Sequence, residues 1–244
     1  MDVNDGARQL AERIKKGNVT IFSGAGLSTE SGLLDFRSKD GIWSKVDPIE
    51  LASIGALECR YGEFLEFYKD RLYVPESVKP NIGHELIAKW EKEGLIKGII
   101  TQNVDRLHQK AGSVNVAELH GSLEPVKCHS CGRIGDKEDF LNGKPCTFCG
   151  GRLRPSVVLF GEMLPSLPLD LADEWSEACD TFIVLGSSLV VSPANFFPRQ
   201  AKSAGAWLAI INRDETPLDS IANLTVHDGI GSFLQKVDKE IDKL

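Results

Sequence analysis

Apolar residues recur along this chain in two alternating patterns. Over 5–16 they fall at Ala7, Leu10, Ala11 and Ile14, one stripe of a helix that Asp5 would cap and Gly17 would stop. Helical spacing returns over 82–93 at Leu86, Ile87 and Trp90, and over 170–179 at Leu171 and Trp175. Ser192-Pro193 offers another helix start, because proline suits the first turn. Between these stretches stand short continuous apolar runs at 19–22, 98–101, 116–119, 157–160, 182–185 and 207–211, which predict strands. Strands alternating with helices predict an α/β fold, a parallel sheet covered on both faces.

Two stretches interrupt the alternation. Residues 41–80 hold no buried-strand pattern but carry a helical stripe over 57–72: Leu57, Tyr61, Phe64, Leu65, Tyr68 and Leu72. Residues 127–154 are rich in cysteine and glycine and poor in apolar side chains. Both read as excursions from one main domain rather than as independent domains.

Composition narrows the classes. The chain of 244 residues is 42% hydrophobic and 26% charged, enough for a sizeable core. Its formal net charge of −7, without any Lys/Arg-rich run, argues against a nucleic-acid partner, which demands a basic footprint. The acidic start Met1-Asp2-Val3-Asn4-Asp5 lacks the features of a signal peptide, and the longest apolar run, Ala206 to Ile211, is too short to span a bilayer. Of the six cysteines, four form two C-x-x-C pairs, a pattern of metal or redox chemistry rather than of disulfides. The expected compartment is the cytoplasm.

The polar residues that follow the apolar runs are the more informative signal. After them come Gly24-Ala25-Gly26, Gln102-Asn103, His120-Gly121, Gly161-Glu162, Gly186-Ser187-Ser188 and Asn212. Ligands of open α/β sheets bind beyond the carboxyl ends of strands, so these ends predict one shared site. Gly24-Ala25-Gly26 by itself is as compatible with a plain turn as with a phosphate-cradling loop, since Thr29 stands where a dinucleotide fingerprint places its third glycine.

Cys128-x-x-Cys131 and Cys146-x-x-Cys149 are more specific. Two knuckles with glycines at 132, 150 and 151 predict a closed four-thiolate Zn²⁺ site, structural because no coordination position is left for substrate. His129 is not expected among the ligands, and Cys59 and Cys179 read as buried or partly buried bystanders. His120, at a strand end near Gln102-Asn103, is the candidate general base, because an imidazole titrates near neutral pH. His84, His108 and His227 default to surface or packing roles.

Read together, Gly24-Ala25-Gly26-Leu27-Ser28, Asp35-Phe36-Arg37, Thr101-Gln102-Asn103-Val104-Asp105, Leu119-His120-Gly121, the cysteine quartet, Phe160-Gly161-Glu162 and Gly186-Ser187-Ser188-Leu189 resemble the ordered motifs of the sirtuin (Sir2) family. The resemblance covers roughly residues 8 to 236. It implies one catalytic domain over 1–244: a Rossmann-type part at about 1–40, 81–124 and 155–244, a helical insert at about 41–80 and a zinc-ribbon-like module at about 125–154. It implies NAD as co-substrate in the cleft between them and one structural Zn²⁺.

By carry-over, Ala25, Thr29, Phe36 and Arg37 line the cofactor loop. Ser187, Ser188, Asn212 and Ile230 hold the phosphate, ribose and adenine end, while Gln102, Asn103, Val104 and Asp105 surround the nicotinamide ribose and amide. Asn103 joins His120 as a catalytic residue. Gly161, Glu162, Leu189 and Val190 sandwich an acyl-lysine peptide as an added strand. The implied reaction attaches the acyl-lysine oxygen to C1′ of the nicotinamide ribose, after which His120 deprotonates a ribose hydroxyl. Free lysine, nicotinamide and O-acyl-ADP-ribose result.

This chain departs from the family pattern at Leu33-Leu34 in place of Ile-Pro, at Arg106 in place of a frequent glycine, and at Ser187 in place of a frequent threonine. The first removes a fixed φ and implies a looser cofactor loop. Rival readings are a deacylase for longer or acidic acyl groups, a mono-ADP-ribosyltransferase, and a silent NAD-sensing module; the last would be expected to lose His120 or Asn103. Tyr68 and Arg71 resemble the Tyr-x-x-Arg pair of desuccinylating sirtuins, but Thr29 and Asp35 stand where those enzymes typically differ. The expectation is therefore acetyl-lysine as the preferred substrate, with Tyr68 packed in the apolar stripe and Arg71 solvated.

Overall fold

The computed structural model describes residues 3–35, 41, 47–72 and 78–244. In chain order the elements are α1 (Val3–Lys15), β1 (Val19–Ser23), α2 (Ala25–Ser28), α3 (Pro48–Leu51), α4 (Ile54–Cys59), α5 (Tyr61–Leu72), α6 (Ile82–Lys92), β2 (Ile96–Thr101), α7 (Leu107–Ala111) and β3 (Val116–Glu118). There follow β4 (Val126–Cys128), α8 (Lys137–Leu141), β5 (Leu153–Pro155), α9 (Ser166–Ala178), β6 (Thr181–Leu185), α10 (Phe197–Ser203), β7 (Trp207–Ile211), β8 (Leu224–Val226) and α11 (Ile230–Ile241). No helix among the described residues is long and apolar enough to cross a membrane.

Six strands form a sheet in the order β3-β2-β1-β6-β7-β8, with every neighbouring pair parallel. Because side chains alternate across a strand, each central strand feeds two cores. Ile21, Ile99 and Ile183 face α1, α6 and α11 with Leu10, Trp90 and Phe233. Phe22, Ile100 and Phe182 face α9 and α10 with Trp175 and Phe197. This two-sided burial is why the strands read as continuous apolar runs rather than as alternations.

A third core lies off the sheet. Leu57, Phe64, Leu65, Tyr68 and Leu72 pack against Val126, Phe140, Leu153 and Leu159. The antiparallel pair β4–β5 belongs to it, with Cys128 opposite Leu153. Tyr61 Oη donates to the Leu153 carbonyl at 2.8 Å, tying α5 to β5.

The sheet order reverses between β1 and β6, and there the chain is glycine for a steric reason. A Cβ on Gly24 would meet the Gly186 carbonyl oxygen at 2.6 Å, and one on Gly26 would meet Gly186 Cα at 2.8 Å. Gly186 itself has φ +65° and would drive a Cβ into the Leu27 amide. Gly24-Ala25-Gly26 is therefore a turn whose backbone lies in contact with that of Gly186.

Several expectations need correction. Residues 157–160 form no strand; Val158 N–H bonds the His120 carbonyl at 2.8 Å, Leu159 N–H the Glu162 carboxylate at 2.8 Å, and only Phe160 makes an isolated parallel bridge, to Ser53. The helix expected over 57–72 is broken at Arg60 (φ −132°, ψ 46°) into α4 and α5. Asp5 lies inside the first turn of α1 rather than capping it. Cys59 is exposed, not buried. The helix expected from Ser192-Pro193 begins only at Phe197, after a short 3₁₀ turn. The three-residue strands β4, β5 and β8 were too short for periodicity to reveal.

Gly186→Ala should destabilise the fold by about 1–3 kcal/mol or more, the usual scale for forcing atoms into filled space. Urea denaturation measures it, and a variant as stable as the parent would show that the two backbones can part freely.

Candidate active site

A cleft with a cavity of ≈ 380 Å³ opens at the carboxyl ends of the sheet strands. Every strand end singled out by its polar residues contributes: Gly24, Ala25 and Gly26 after β1, Gln102 and Asn103 after β2, His120 after β3, Gly186, Ser187 and Ser188 after β6, and Asn212 after β7. Gly161 and Glu162 line it as well, from a loop rather than a strand. Val104 also borders it. Thr29, Asp105, Leu189, Val190 and Ile230 stand back from the cavity wall. Ile230 is buried in the first core, and Leu189 is buried with a left-handed φ of +56°. Phe36 and Arg37 lie outside the described residues.

The floor is wired by hydrogen bonds that cross from strand to strand. Asn103 Nδ2 donates to the Gly24 carbonyl and to Ser28 Oγ, each at 3.1 Å. Ser28 Oγ in turn donates to Asp105 Oδ2 at 2.7 Å, and Asp105 Oδ1 accepts the Leu107 N–H at 2.9 Å. Asn103 Oδ1 remains buried without a protein partner. A buried acceptor costs stability unless something bonds to it, so this atom is suited to a ligand donor. Gln102 Nε2 donates to Ser187 Oγ at 2.8 Å, linking the ends of β2 and β6.

His120 is half-buried on the cavity wall. Its Nδ1–H donates to the Gln102 carbonyl at 3.1 Å, since a carbonyl only accepts. In the neutral ring this fixes the tautomer and leaves Nε2 as the basic nitrogen. A backbone bond thus selects which nitrogen can take a proton.

Arg106, at the start of α7, has φ 60° and ψ 24°, the left-handed region in which glycine is free and arginine is not. This is the physical content of the departure noted at that position. Its guanidinium lies 3.8 Å from Glu118.

The wall toward the third core carries Phe67, Tyr68 and Arg71. Tyr68 is packed within that core as expected, and burial pushes its hydroxyl well above the ordinary phenol range. Arg71 is not a solvated side chain. It stacks on the Phe67 ring at 3.4 Å and donates through Nη1 to the Phe67 carbonyl at 2.6 Å, while its Nε is buried without a partner.

The cysteine quartet assembles as predicted. The Sγ atoms of Cys128, Cys131, Cys146 and Cys149 all lie within 4.8 Å of one another, with Cys128 to Cys149 at 3.5 Å and Cys131 to Cys146 at 3.9 Å. Four thiolates about 2.3 Å from one Zn²⁺ at tetrahedral angles stand roughly 3.8 Å apart, so the set fits that ion. Gly132 and Gly150 take φ of +72° and +73° in the knuckle turns, returning their amides to the carbonyls of Cys128 and Cys146. His129 is outside the cluster.

Supporting residues escaped the sequence reading. Asn81 caps α6 through Oδ1, accepting from Gly83 N–H at 2.9 Å. Its Nδ2 donates to the Leu27 carbonyl at 2.7 Å and Ser31 Oγ at 3.0 Å, pinning the loop after β1. Glu30 accepts the Gly231 N–H at 3.1 Å and holds the same loop to α11. His84 and His108 are buried with ring centroids 5.0 Å apart, and His108 Nε2 lies 2.8 Å from Ser23 Oγ, which donates to Thr101 Oγ1 at 2.8 Å. Burial first, and then His84 beside it, depresses the His108 pKa to about 3; burial, opposed by Asp105, depresses His84 to about 4. Both rings are therefore neutral spacers. The only signal in the sequence was their number, and packing was the correct default for both.

Residues 24–193 match the model of the Sir2 family. The chain is 48% identical over 224 residues to the NAD-dependent protein deacetylase of Halalkalibacterium halodurans, covering 91% of this chain and 94% of that one. It is 42% identical over 253 residues to the NAD-dependent protein deacylase 2 of Archaeoglobus fulgidus, covering 99% and 98%. A solved Sir2 structure holding a deacetylated p53 peptide and 3′-O-acetyl ADP-ribose superposes with a TM-score of 0.90 at 37% identity, covering 95% of this chain and 97% of that one.

Cys146→Ala should lower zinc content and thermal stability together, because a structural ion supplies folding free energy to a segment with little core of its own. Metal analysis beside a thermal melt reads both. Protein that stays folded and zinc-free after chelation, with an unshifted melting temperature, would contradict the structural role.

Proposed function

Since this chain belongs to the Sir2 family, we propose that it removes acetyl groups from lysine side chains of proteins at the expense of NAD, releasing nicotinamide and O-acetyl-ADP-ribose. The observation that carries this reading is the His120 ring, whose Nδ1–H is committed to the Gln102 carbonyl and whose Nε2 is thereby the basic nitrogen at the cavity. It deprotonates a hydroxyl of the bound ribose, the one proton transfer the reaction asks of a general base.

The remaining residues bind and orient. Bound NAD supplies an activated glycosidic bond, whose cleavage drives the transfer of the acyl group. Ala25 and Thr29, with Phe36 and Arg37, form the cofactor loop. Ser187, Ser188 and Asn212 take the phosphate, ribose and adenine end, with Ile230 shaping the wall behind them. Gln102, Asn103, Val104 and Asp105 surround the nicotinamide ribose and amide, and the unpartnered Asn103 Oδ1 supports that assignment. The glycine contact at the sheet reversal brings backbone, without side chains, close to where a pyrophosphate lies. Gly161 and Glu162, through their backbone, and Leu189 and Val190 receive the acyl-lysine peptide between two loops. The zinc ion stays outside this chemistry, with its four ligands filling a tetrahedral set.

We read the chain as one catalytic domain with a helical insert and a zinc module, acting in the cytoplasm. The two C-x-x-C pairs, spaced for a metal rather than for disulfides, support that compartment. A second reading, acidic acyl groups as substrates, draws support from Arg71 and Tyr68 on the cavity wall. Arg71 is already engaged with Phe67 by stacking and a hydrogen bond, which favours the acetyl group.

Two measurements test these statements. His120→Ala should keep the fold and the zinc while turnover falls by about 10²–10⁴-fold, the usual contribution of a general base. Mass spectrometry of products from NAD and an acetyl-lysine peptide follows it, and near-parental turnover would remove His120 from that role. On matched peptides, kcat/KM should be higher for acetyl-lysine than for succinyl-lysine. A succinyl preference that disappears in Arg71→Met would establish the second reading instead.

A further inference from the structure

The loop from Ser156 to Pro165 that carries Gly161 and Glu162 contains no helix or strand of its own. Backbone bonds tie it at Val158 to the His120 carbonyl and at Phe160 to the Ser53 stretch, and a buried charge adds a further anchor. Arg154, in β5, is 1% exposed. Its Nη1 donates to Glu162 Oε1 at 2.5 Å and its Nη2 to Glu162 Oε2 at 2.9 Å, a two-pronged pair. The same Nη2 donates to the Val157 carbonyl at 2.5 Å, and Nε to the Pro155 carbonyl at 3.2 Å. Glu162 Oε2 also accepts the Leu159 N–H at 2.8 Å. One guanidinium thus joins Pro155, Val157 and Glu162.

The electrostatics agree with the geometry. Burial alone would raise the Glu162 carboxyl pKa, but the Arg154 guanidinium and the Leu159 amide outweigh it and hold the group below the ordinary carboxylate range. The Glu162 carboxylate therefore stays charged near neutral pH. Removing Glu162 leaves the Arg154 guanidinium as an uncompensated buried charge, so the loop loses the anchor at its Glu162 end.

We infer that Arg154 is a positioning residue for the acyl-lysine peptide: it presets the loop that forms one side of the peptide site, and the Glu162 carboxylate acts as its anchor rather than as a peptide contact. The arginine sits beside Leu153, which is opposite Cys128 in the β4–β5 pair. The strut therefore ties the peptide loop to the cysteine module, and the order of one is passed to the other. The identity of the peptide rests on the deacetylase reading; the preset loop does not.

The experiment compares Glu162→Gln, Arg154→Met and the two combined in the zinc-loaded protein. Calorimetry gives the affinity of an acetyl-lysine peptide and, separately, of ADP-ribose; hydrogen exchange reports the amides of 157–162 with no ligand present. Peptide affinity should fall by about tenfold or more, since the loop must then be ordered at the expense of binding. ADP-ribose affinity and zinc content should hold, and loop exchange should quicken. In the double variant the two losses should not multiply, because both remove one interaction. Equal losses for peptide and ADP-ribose, independent multiplication, or unchanged loop exchange would overturn the inference. If Arg154→Met does not fold, Glu162→Gln, which keeps the side-chain volume, decides alone. If the parent protein binds no acetyl-lysine peptide, the deacetylase reading falls, while loop exchange in Glu162→Gln still decides whether the strut presets the loop.

Discussion

The contact on which the rest of this molecule depends is backbone against backbone, where Gly24 and Gly26 at the end of β1 meet Gly186 at the end of β6. A parallel sheet whose order reverses must open a crevice at that point. Here the two backbones meet without side chains between them, so the approach of β1 to β6 at the crevice does not depend on rotamers. The side chains that work in the cleft are then hung from strands whose spacing is already determined. Gln102 reaches Ser187 across β1, and Asn103 reaches the Gly24 carbonyl, because the intervening distance admits no variation.

A second constraint is that buried polar groups need partners. The cleft meets it by giving most such groups two functions. Asn81 caps a helix with one end of its amide and holds the loop after β1 with the other. Asp105 receives Ser28 on one oxygen and the first turn of α7 on the other. The neutral His84 and His108 fill space behind this network without adding charge to it. The rule has exceptions: both His84 ring nitrogens and His108 Nδ1 are buried without partners behind the network, as are Asn103 Oδ1 and Arg71 Nε, which belong to residues lining the cavity itself.

How far the sequence was legible follows from what periodicity and spacing can encode. Central strands buried on both faces, such as β6 and β7, leave continuous apolar runs and were found within a residue or two. The cysteine quartet was legible because ligand spacing is local. The run at 157–160 misled because Val157, Val158, Leu159 and Phe160 have strand composition, whereas the backbone there answers to Arg154 and Glu162, partners whose pairing no period announces. Thr29 and Ile230 were placed by family motif and lie behind the cavity wall, since a motif marks a position in the chain and not its distance from a ligand. Arg106 was legible as an oddity, but only the left-handed backbone explains it.

The third core has a consequence for how the chain reaches its final form. Tyr61 bonds to Leu153 and Arg152 to Leu57, separations of 92 and 95 residues, and strands β2 and β3 lie in the sequence between the partners. Such contacts gain nothing until a long loop has closed, so their assembly is slow relative to local helix formation. The sheet core, once built, brings the two stretches together by fixing the ends of both. What the closing of that loop governs is the docking of α5 on the cysteine module, because the four thiols themselves lie within 21 residues of one another and need no such closure.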